Sequence, residues 1–159
     1  MADYKGSQGI AALKAKINLK SKTLVGEAAE KIAINLVDES PLGAEYYASP
    51  TLDRNIKNDV GDYKNSWVVE FNYKSKVVRS ADPSGTGAVL DAMSKASAYN
   101  LQDVVYITNF TPQAKPVEEG WEDNPEYGWK AKGGYHVVGN NTGTAVAILE
   151  AVANKVSKM

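Results

Sequence analysis

Three groups of residues in this 159-residue chain have types or spacings found in chemical sites, and the first is its only histidine, His136. A Ser-His-Asp triad would need His136 beside an activated serine and an acid. The histidine lies in the stretch Tyr135-His-Val-Val138, which has the pattern of a strand, and the chain contains no nucleophile elbow. The sequence therefore predicts a structural role for His136.

The second group is Gly85-Thr86-Gly87, which precedes a predicted helix. Glycines before a helix N-terminus are found where phosphate binds. Here the third glycine of the dinucleotide pattern is missing, and no Gly-Lys-Ser/Thr sequence follows. We therefore predict that Gly85 provides the positive φ of a turn.

The third group is an acidic run without an intervening base: Glu118, Glu119, Glu122, Asp123 and Glu126. Neither this run nor residues 53–62 has the ligand spacing of a calcium-binding EF-hand loop. Adjacent carboxylates on a strand point to opposite faces, so Glu118 and Glu119 would not form a glycosidase pair. The chain has no cysteine, which excludes thiolate zinc sites and cysteine nucleophiles. We predict no enzyme activity, metal or cofactor, and interpret the run as a solvated face or a partner surface.

Composition predicts one domain, residues 1–159, with a typical hydrophobic content of 43% and a net charge of −1. Only Arg54 and Arg79 are arginines, which disfavours sequence-specific nucleic-acid recognition. No apolar run approaches the length of a membrane span, so we expect no membrane partner. The first 22 residues contain five lysines against one acid and are interpreted as a solvated arm, flexible over residues 1–9.

The pattern of apolar residues predicts the elements that position these groups. A helix is expected from Thr23 to about Asp38, preceded by a weaker one from Ile10 and a break near residues 20–23. Residues 39–62 form a long connector with prolines and glycines. A middle helix opens at Thr86, and a last helix is capped by Thr142 or Thr144.

One hairpin and two further strands are expected between these helices. Residues 66–73 alternate apolar and polar, and residues 77–79 are predicted to return beside them. Residues 103–109 form the next strand, 110–134 a long loop, and 135–138 a final short strand. The predicted fold is α+β, a small antiparallel β-sheet flanked by an N-terminal helix, a middle helix and a C-terminal helix.

Aromatic residues are concentrated in two of the predicted loops. Trp121, Tyr127 and Trp129 lie in the 110–134 loop, and Tyr135 follows it. Large rings dominate interface energetics, but they also fill cores, and both interpretations stay open for this group. The same two interpretations apply to the pair Tyr46-Tyr47 in the connector.

The segment Val104-Val-Tyr-Ile-Thr-Asn109, followed by Pro112-Gln-Ala114 and Val117-Glu-Glu-Gly-Trp121, resembles the neck or tail-completion proteins of long-tailed bacteriophages. In that family a strand ends in Tyr-Ile-Thr-Asn, before a Pro-Tyr-Ala turn and Leu-Glu-Tyr-Gly. Upstream, the family order is matched by Ser40-Pro41, by Gly61 through Lys64-Asn65-Ser66-Trp67, and by Asp82-Pro-Ser84-Gly85. The chain departs from the family at Gln113 and Glu119, which stand in place of tyrosines, at Val60, where the family has the threonine of a Thr-Gly pair, and in an inserted connector between Pro41 and Gly61.

The resemblance, over roughly residues 23–157, implies a virion structural protein assembled in the bacterial host cytoplasm. Such proteins form a ring at the head–tail junction and join the DNA-filled head to the tail. The implied partners are copies of the chain itself, the connector or adaptor, and the tail-terminator or tail-tube proteins, with DNA passing through the lumen without specific binding. The expected interface residues are Tyr46, Tyr47, Glu118, Glu119, Trp121, Tyr127 and Trp129. The alternatives are a tail terminator or head–tail adaptor ring protein, and a small ligand-binding or hydrolytic α+β domain.

Overall fold

The computed structural model describes residues 3–42, 61–100, 103–111, 114–121 and 132–159. These ranges form the predicted α+β fold, with helices packed on an antiparallel pair of strands. Their elements, in chain order, are α1 (Asp3–Glu39), α2 (Asp62–Asn65), β1 (Trp67–Phe71), α3 (Thr86–Ala96), β2 (Val105–Asn109), α4 (Ala114–Glu119), β3 (Gly120–Trp121), β4 (Lys132–Gly133) and α5 (Val137–Ser157). None of the helices in these ranges has the length and apolar character needed to cross a membrane.

Helix α1 is continuous over 37 residues. The predicted flexible arm is therefore helical from residue 3, and the break expected near residues 20–23 does not occur. No proline interrupts the sequence before Pro41, which disfavours helical geometry in the residue before it. The helix ends beside that proline, where the Ser40 hydroxyl donates a hydrogen bond of 2.6 Å to the Leu36 carbonyl.

The main sheet pairs β1 with β2, from Trp67 opposite Asn109 to Phe71 opposite Val105. The predicted hairpin with residues 77–79 is wrong, because those residues are not in a strand. After β1 the chain turns at Asn72, which has a φ of 68°. It then crosses one face of the sheet, where the Ser75 carbonyl accepts a hydrogen bond of 3.5 Å from the Thr108 hydroxyl.

Side chains replace a third strand at the free edge of β1. The Arg79 guanidinium donates a hydrogen bond of 2.8 Å to the Trp67 carbonyl. It also forms an ion pair of 3.3 Å with Asp91, whose carboxylate accepts a hydrogen bond of 3.3 Å from the Val69 N–H. Because these backbone groups already have partners, a returning strand would have less hydrogen bonding to gain there.

Helix α1 packs on the inner face of the sheet and against α3. Small residues allow this close approach, and they form a buried cluster with one strand residue: Ala29, Ala33, Val69 and Ala92. The closest contact is at Gly26, where an added Cβ would overlap the Ala96 carbonyl oxygen at the end of α3. A second cluster, around Trp67, joins α1 to α2, β1, α3, α4 and α5.

Helix α5 runs antiparallel to α1. The Asn35 and Asn141 side chains are hydrogen-bonded near one end, and Lys155 forms an ion pair of 2.7 Å with Glu27 near the other. The hydrogen bond from Lys155, reinforced by one from Lys31, holds the pKa of Glu27 below its ordinary value. Closer to the start of α1, the Lys20 ammonium donates a hydrogen bond of 3.2 Å to the carbonyl of Ser157, the final residue of α5. Helix α5 therefore ends beside Lys20.

The region between β2 and α5 differs from its prediction. The predicted loop 110–134 contains α4 and the short antiparallel pair β3–β4. The predicted strand at 135–138 is wrong, and α5 begins at Val137, five residues before Thr142. The first turn of α5 has a remote cap, since the Glu118 carboxylate accepts a hydrogen bond of 3.1 Å from the Val138 N–H. Most of the predicted connector 39–62 lies outside the described residues.

Candidate interaction surfaces

Described residues from several of the segments that carry the family resemblance meet in one internal network. The Trp67 indole donates a hydrogen bond of 2.7 Å to the Ser40 hydroxyl, which joins β1 to the end of α1. The Tyr63 ring meets the Trp67 ring edge to face, with centroids 5.7 Å apart. Asn109, at the end of β2, donates a hydrogen bond of 2.7 Å to the Tyr63 carbonyl. Segments far apart in sequence are therefore held together by the residues that resemble the family.

Asn65 is the polar centre of this network. Its side-chain oxygen accepts a hydrogen bond of 3.0 Å from the Ala88 N–H in the first turn of α3. Its side-chain nitrogen donates one of 2.9 Å to the Ser80 carbonyl. Asn65 is 4% exposed, so water could replace neither partner easily.

We expect Asn65→Ala to lower the free energy of unfolding by about 2 kcal/mol, because it leaves a buried N–H and a carbonyl without their partner. Chemical denaturation of the purified variant measures this. Asn154→Ala, at an exposed position on α5, is the matched control and should be nearly neutral. Equal stabilities for the two variants would show that Asn65 does not hold the network together.

Two glycines in the segments that resemble the phage neck family occupy backbone conformations that favour glycine. Gly61 has a φ of 89°, and an added Cβ would lie 2.5 Å from the Asp82–Pro83 backbone. Gly85 has a φ of 68°, which confirms the predicted turn. Asp82 opens that turn, and hydrogen bonds from the Ser84 hydroxyl and N–H hold the pKa of Asp82 below its ordinary value. Both Asp82 carboxylate oxygens thus accept hydrogen bonds from within the turn, from Ser84 and from the Thr86 N–H.

The predicted interface residues fall into three groups. Tyr46, Tyr47, Tyr127 and Trp129 lie outside the described residues. Trp121 pairs with Lys132 in the β3–β4 ladder. Glu118 and Glu119, both on α4, have well-defined surroundings.

Glu118 and Glu119 have different environments. The Glu118 carboxylate accepts hydrogen bonds from the Tyr63 hydroxyl at 3.2 Å and from the Val138 N–H, so it links α2, α4 and α5. The Glu119 side chain is 65% exposed and lies 3.7 Å from the Lys115 ammonium. Glu118 is thus bound internally, whereas Glu119 remains accessible to a partner.

The first half of α1 is a surface that the sequence interpretation missed. Ile10, Leu13 and Ile17 are 60%, 59% and 51% exposed, respectively. Their i, i+3, i+7 spacing places them on one side of the helix. That spacing is visible in the sequence, but only the structure shows that no described element covers these side chains.

An apolar groove lies at the other end of α1, between that helix and α5. Its volume is about 170 Å³, and it is lined by Ile32, Asn35, Leu36, Val138, Asn141, Thr142, Ala145 and Ile148. Asp38 and Glu39 are exposed one helical turn beyond Asn35. The groove therefore has a mainly apolar lining, and two exposed carboxylates follow it along α1 within one helical turn of Asn35.

His136, the first candidate from the sequence, lies immediately before α5 with a φ of 51°. Within the described ranges, no three His, Asp or Glu side chains lie close enough together to hold a metal ion. No protein-family model, curated protein or solved structure matches the chain.

Proposed function

We propose that this protein is a virion structural protein that forms a ring at the head–tail junction of a long-tailed bacteriophage, as a neck or tail-completion component. One observation carries the proposal. Segments that resemble that family are scattered over the sequence, and their described residues Ser40, Asn109 and Glu118 each contact Tyr63 or Trp67 of the 61–67 segment.

This convergence supports the resemblance because isolated matches in a sequence have no reason to meet in a fold. Ser40 contacts Trp67, and Tyr63 contacts both Asn109 and Glu118. Gly61 packs against the Asp82–Pro83 backbone. A set of residues that jointly fixes the packing of α1, β1, β2 and α5 is what a shared fold would require.

The exposed surfaces favour assembly over chemistry. An uncovered apolar helix face and an apolar groove are features of protein–protein contacts. They lie at opposite ends of α1, so a contact between them would be head to tail. Head-to-tail contacts between identical copies generate rings when the rotation closes.

In this role the ring contacts the connector or adaptor on one side and the tail-terminator or tail-tube proteins on the other. The net charge of −1 suits a lumen through which DNA passes without being retained. A tail terminator or a head–tail adaptor would use the same kind of ring at a neighbouring position.

Electron microscopy of lysates tests the proposal directly in a phage whose copy of this gene is disrupted. We expect DNA-filled heads beside finished but unattached tails, and joined particles when the intact gene is supplied in trans. Tails of irregular length would indicate a tail terminator instead. Normal infectious particles would contradict any role in joining heads to tails.

A further inference from the structure

The first 17 residues of α1, from Asp3 to Leu19, form an arm that extends beyond the end of α5. Helix α5 stops beside Lys20, and the described side chains from Gly9 to Leu19 are all exposed. At the rise of an α-helix, the arm is about 25 Å long. Its apolar stripe consists of Ile10, Leu13 and Ile17. The stripe continues, toward the N-terminus, the side of α1 that α5 covers farther along the helix.

An isolated helix with the composition of this arm is marginal in water. Helices of about 15 residues rarely hold without tertiary contacts, and Gly6 and Gly9 each cost about 1 kcal/mol relative to alanine. Three exposed branched side chains add apolar surface that a contact would remove from water. The arm is therefore expected to gain stability from a partner.

Two arms are poorly suited to pair with each other. Lys14 and Lys16 flank the apolar stripe, at positions beside the contact seam of a coiled coil. Two such stripes packed together would bring these four lysines of the two arms to the seam, and like charges at these positions oppose pairing. The arm is therefore better matched to an acidic surface with an apolar floor.

The groove between α1 and α5 meets both requirements. An apolar cavity of about 150 Å³ holds a benzene molecule, so a groove of about 170 Å³ has room for a leucine or isoleucine side chain. The charges of α1 are also distributed unevenly, with a basic arm and an acidic second half. Residues 3–22 contain five lysines and one aspartate, whereas residues 23–39 contain one lysine and four acids.

We propose that the arm of one copy binds in the α1–α5 groove of a second copy of this chain. One side chain of the apolar stripe enters the groove, and the lysines of the arm face Asp38 and Glu39 of the second copy. The contact is heterologous, since each copy offers an arm at one end and a groove at the other. Its closure into a ring rests on the proposed function, while the contact itself depends only on this chain.

A pair of introduced cysteines tests the contact, because the natural chain has none. The double variant Leu13→Cys with Thr142→Cys places one thiol on the stripe and one at the groove. The two cannot bridge within one copy, because Leu13 is 22 positions from Asn35 on α1, about 33 Å along the helix axis. A disulfide requires Cα atoms no more than about 7 Å apart.

After mild oxidation, we expect the double variant to give a ladder of covalent dimers, trimers and larger species on a non-reducing gel. Neither single variant should form such a ladder. The absence of a ladder at high protein concentration would overturn the proposal. A dimer from Leu13→Cys alone would overturn it as well, since that product requires two arms to meet.

A matched pair of arm variants provides an independent test by native mass measurement. Ile17→Asp should reduce the assembled fraction at least tenfold, because it places a carboxylate on the stripe. Leu19→Asp, at a similarly exposed position on another side of the arm, should leave assembly unchanged. Both should keep the melting temperature of the monomer, and equal loss of assembly in the two variants would contradict a contact through the stripe.

The two proposals can fail separately. If the double cysteine variant gives no ladder but gene disruption still leaves heads and tails unjoined, the contact is wrong and the neck function stands. If the ladder forms but disruption leaves infectious particles, the contact stands and the neck function is wrong.

Discussion

We expect the substitution Trp67→Ala to lower the free energy of unfolding by about 3–5 kcal/mol. The Trp67 side chain is 4% exposed and is part of the cluster in which α1, α2, α3, α4 and α5 meet. Alanine would leave a cavity there and remove the ring contact with Tyr63. It would also remove the hydrogen bond to the Ser40 hydroxyl, which is itself buried.

Denaturant unfolding followed by circular dichroism measures the effect of Trp67→Ala. Phe110→Ala is the matched control, because the Phe110 ring is 53% exposed and should cost less than about 0.5 kcal/mol. Trp67→Phe should lie between the two, since it keeps most of the ring but loses the indole N–H. A loss for Trp67→Ala as small as that for Phe110→Ala would mean that this cluster does not hold the helices on the sheet.

The second large effect is expected at Gly26, where Gly26→Ala should lower the free energy of unfolding by about 3 kcal/mol. Alanine is normally better than glycine inside a helix, by about 1 kcal/mol. Here the added methyl group would overlap the carbonyl oxygen of Ala96, a backbone atom that cannot rotate away. Helices α1 and α3 would have to separate, and the small-residue cluster between α1, β1 and α3 would loosen with them.

Gly143→Ala is the matched control for the helix propensity of alanine. Gly143 lies inside α5, and an added Cβ would have no atom within 4 Å. This variant should gain up to about 1 kcal/mol, as expected for a helical position with open space. Thermal unfolding of both proteins should therefore give shifts of opposite sign, and a gain in stability at Gly26 would show that α1 and α3 can move apart freely.

Local pattern in the sequence was sufficient to predict much of the fold. The alternation of Trp67, Val69 and Phe71 predicted β1, and the Val- and Ile-rich residues before Asn109 predicted β2. The middle helix begins at Thr86 as predicted. The alternation located β1 but not its buried side, because Val68 is buried as fully as Trp67 and Val69.

The errors came from contacts that join distant segments. Nothing near residues 77–79 in sequence indicates that β1 pairs instead with residues 105–109, or that Arg79 and Asp91 occupy its other edge. The first turn of α5 is capped by Glu118, which lies 20 residues away in the sequence from the N–H that it caps. Propensity and periodicity describe neighbours along the chain and carry little information on such partners.

The candidate surface was only partly accessible to sequence reasoning. The spacing of Ile10, Leu13 and Ile17 was visible, but an apolar stripe on a helix usually faces its own core. Only the end of α5 beside Lys20 shows that this stripe is left uncovered. Glu118 was expected at an interface because it lies in an acidic run, and its internal role depends on the positions of Tyr63 and Val138.

The packing of α5 on α1 also affects when the protein can assemble during its synthesis. The side of α1 that faces α5 stays uncovered while about 100 further residues are translated, because α5 spans Val137–Ser157. The groove does not exist until that helix has left the ribosome and folded back. A chain still on the ribosome therefore has an arm but no groove. Its arm could bind the groove of a finished subunit, but it could not bind the arm of another copy. The order of translation thus delays the addition of further copies at the groove end of a subunit until α1 and α5 have packed together.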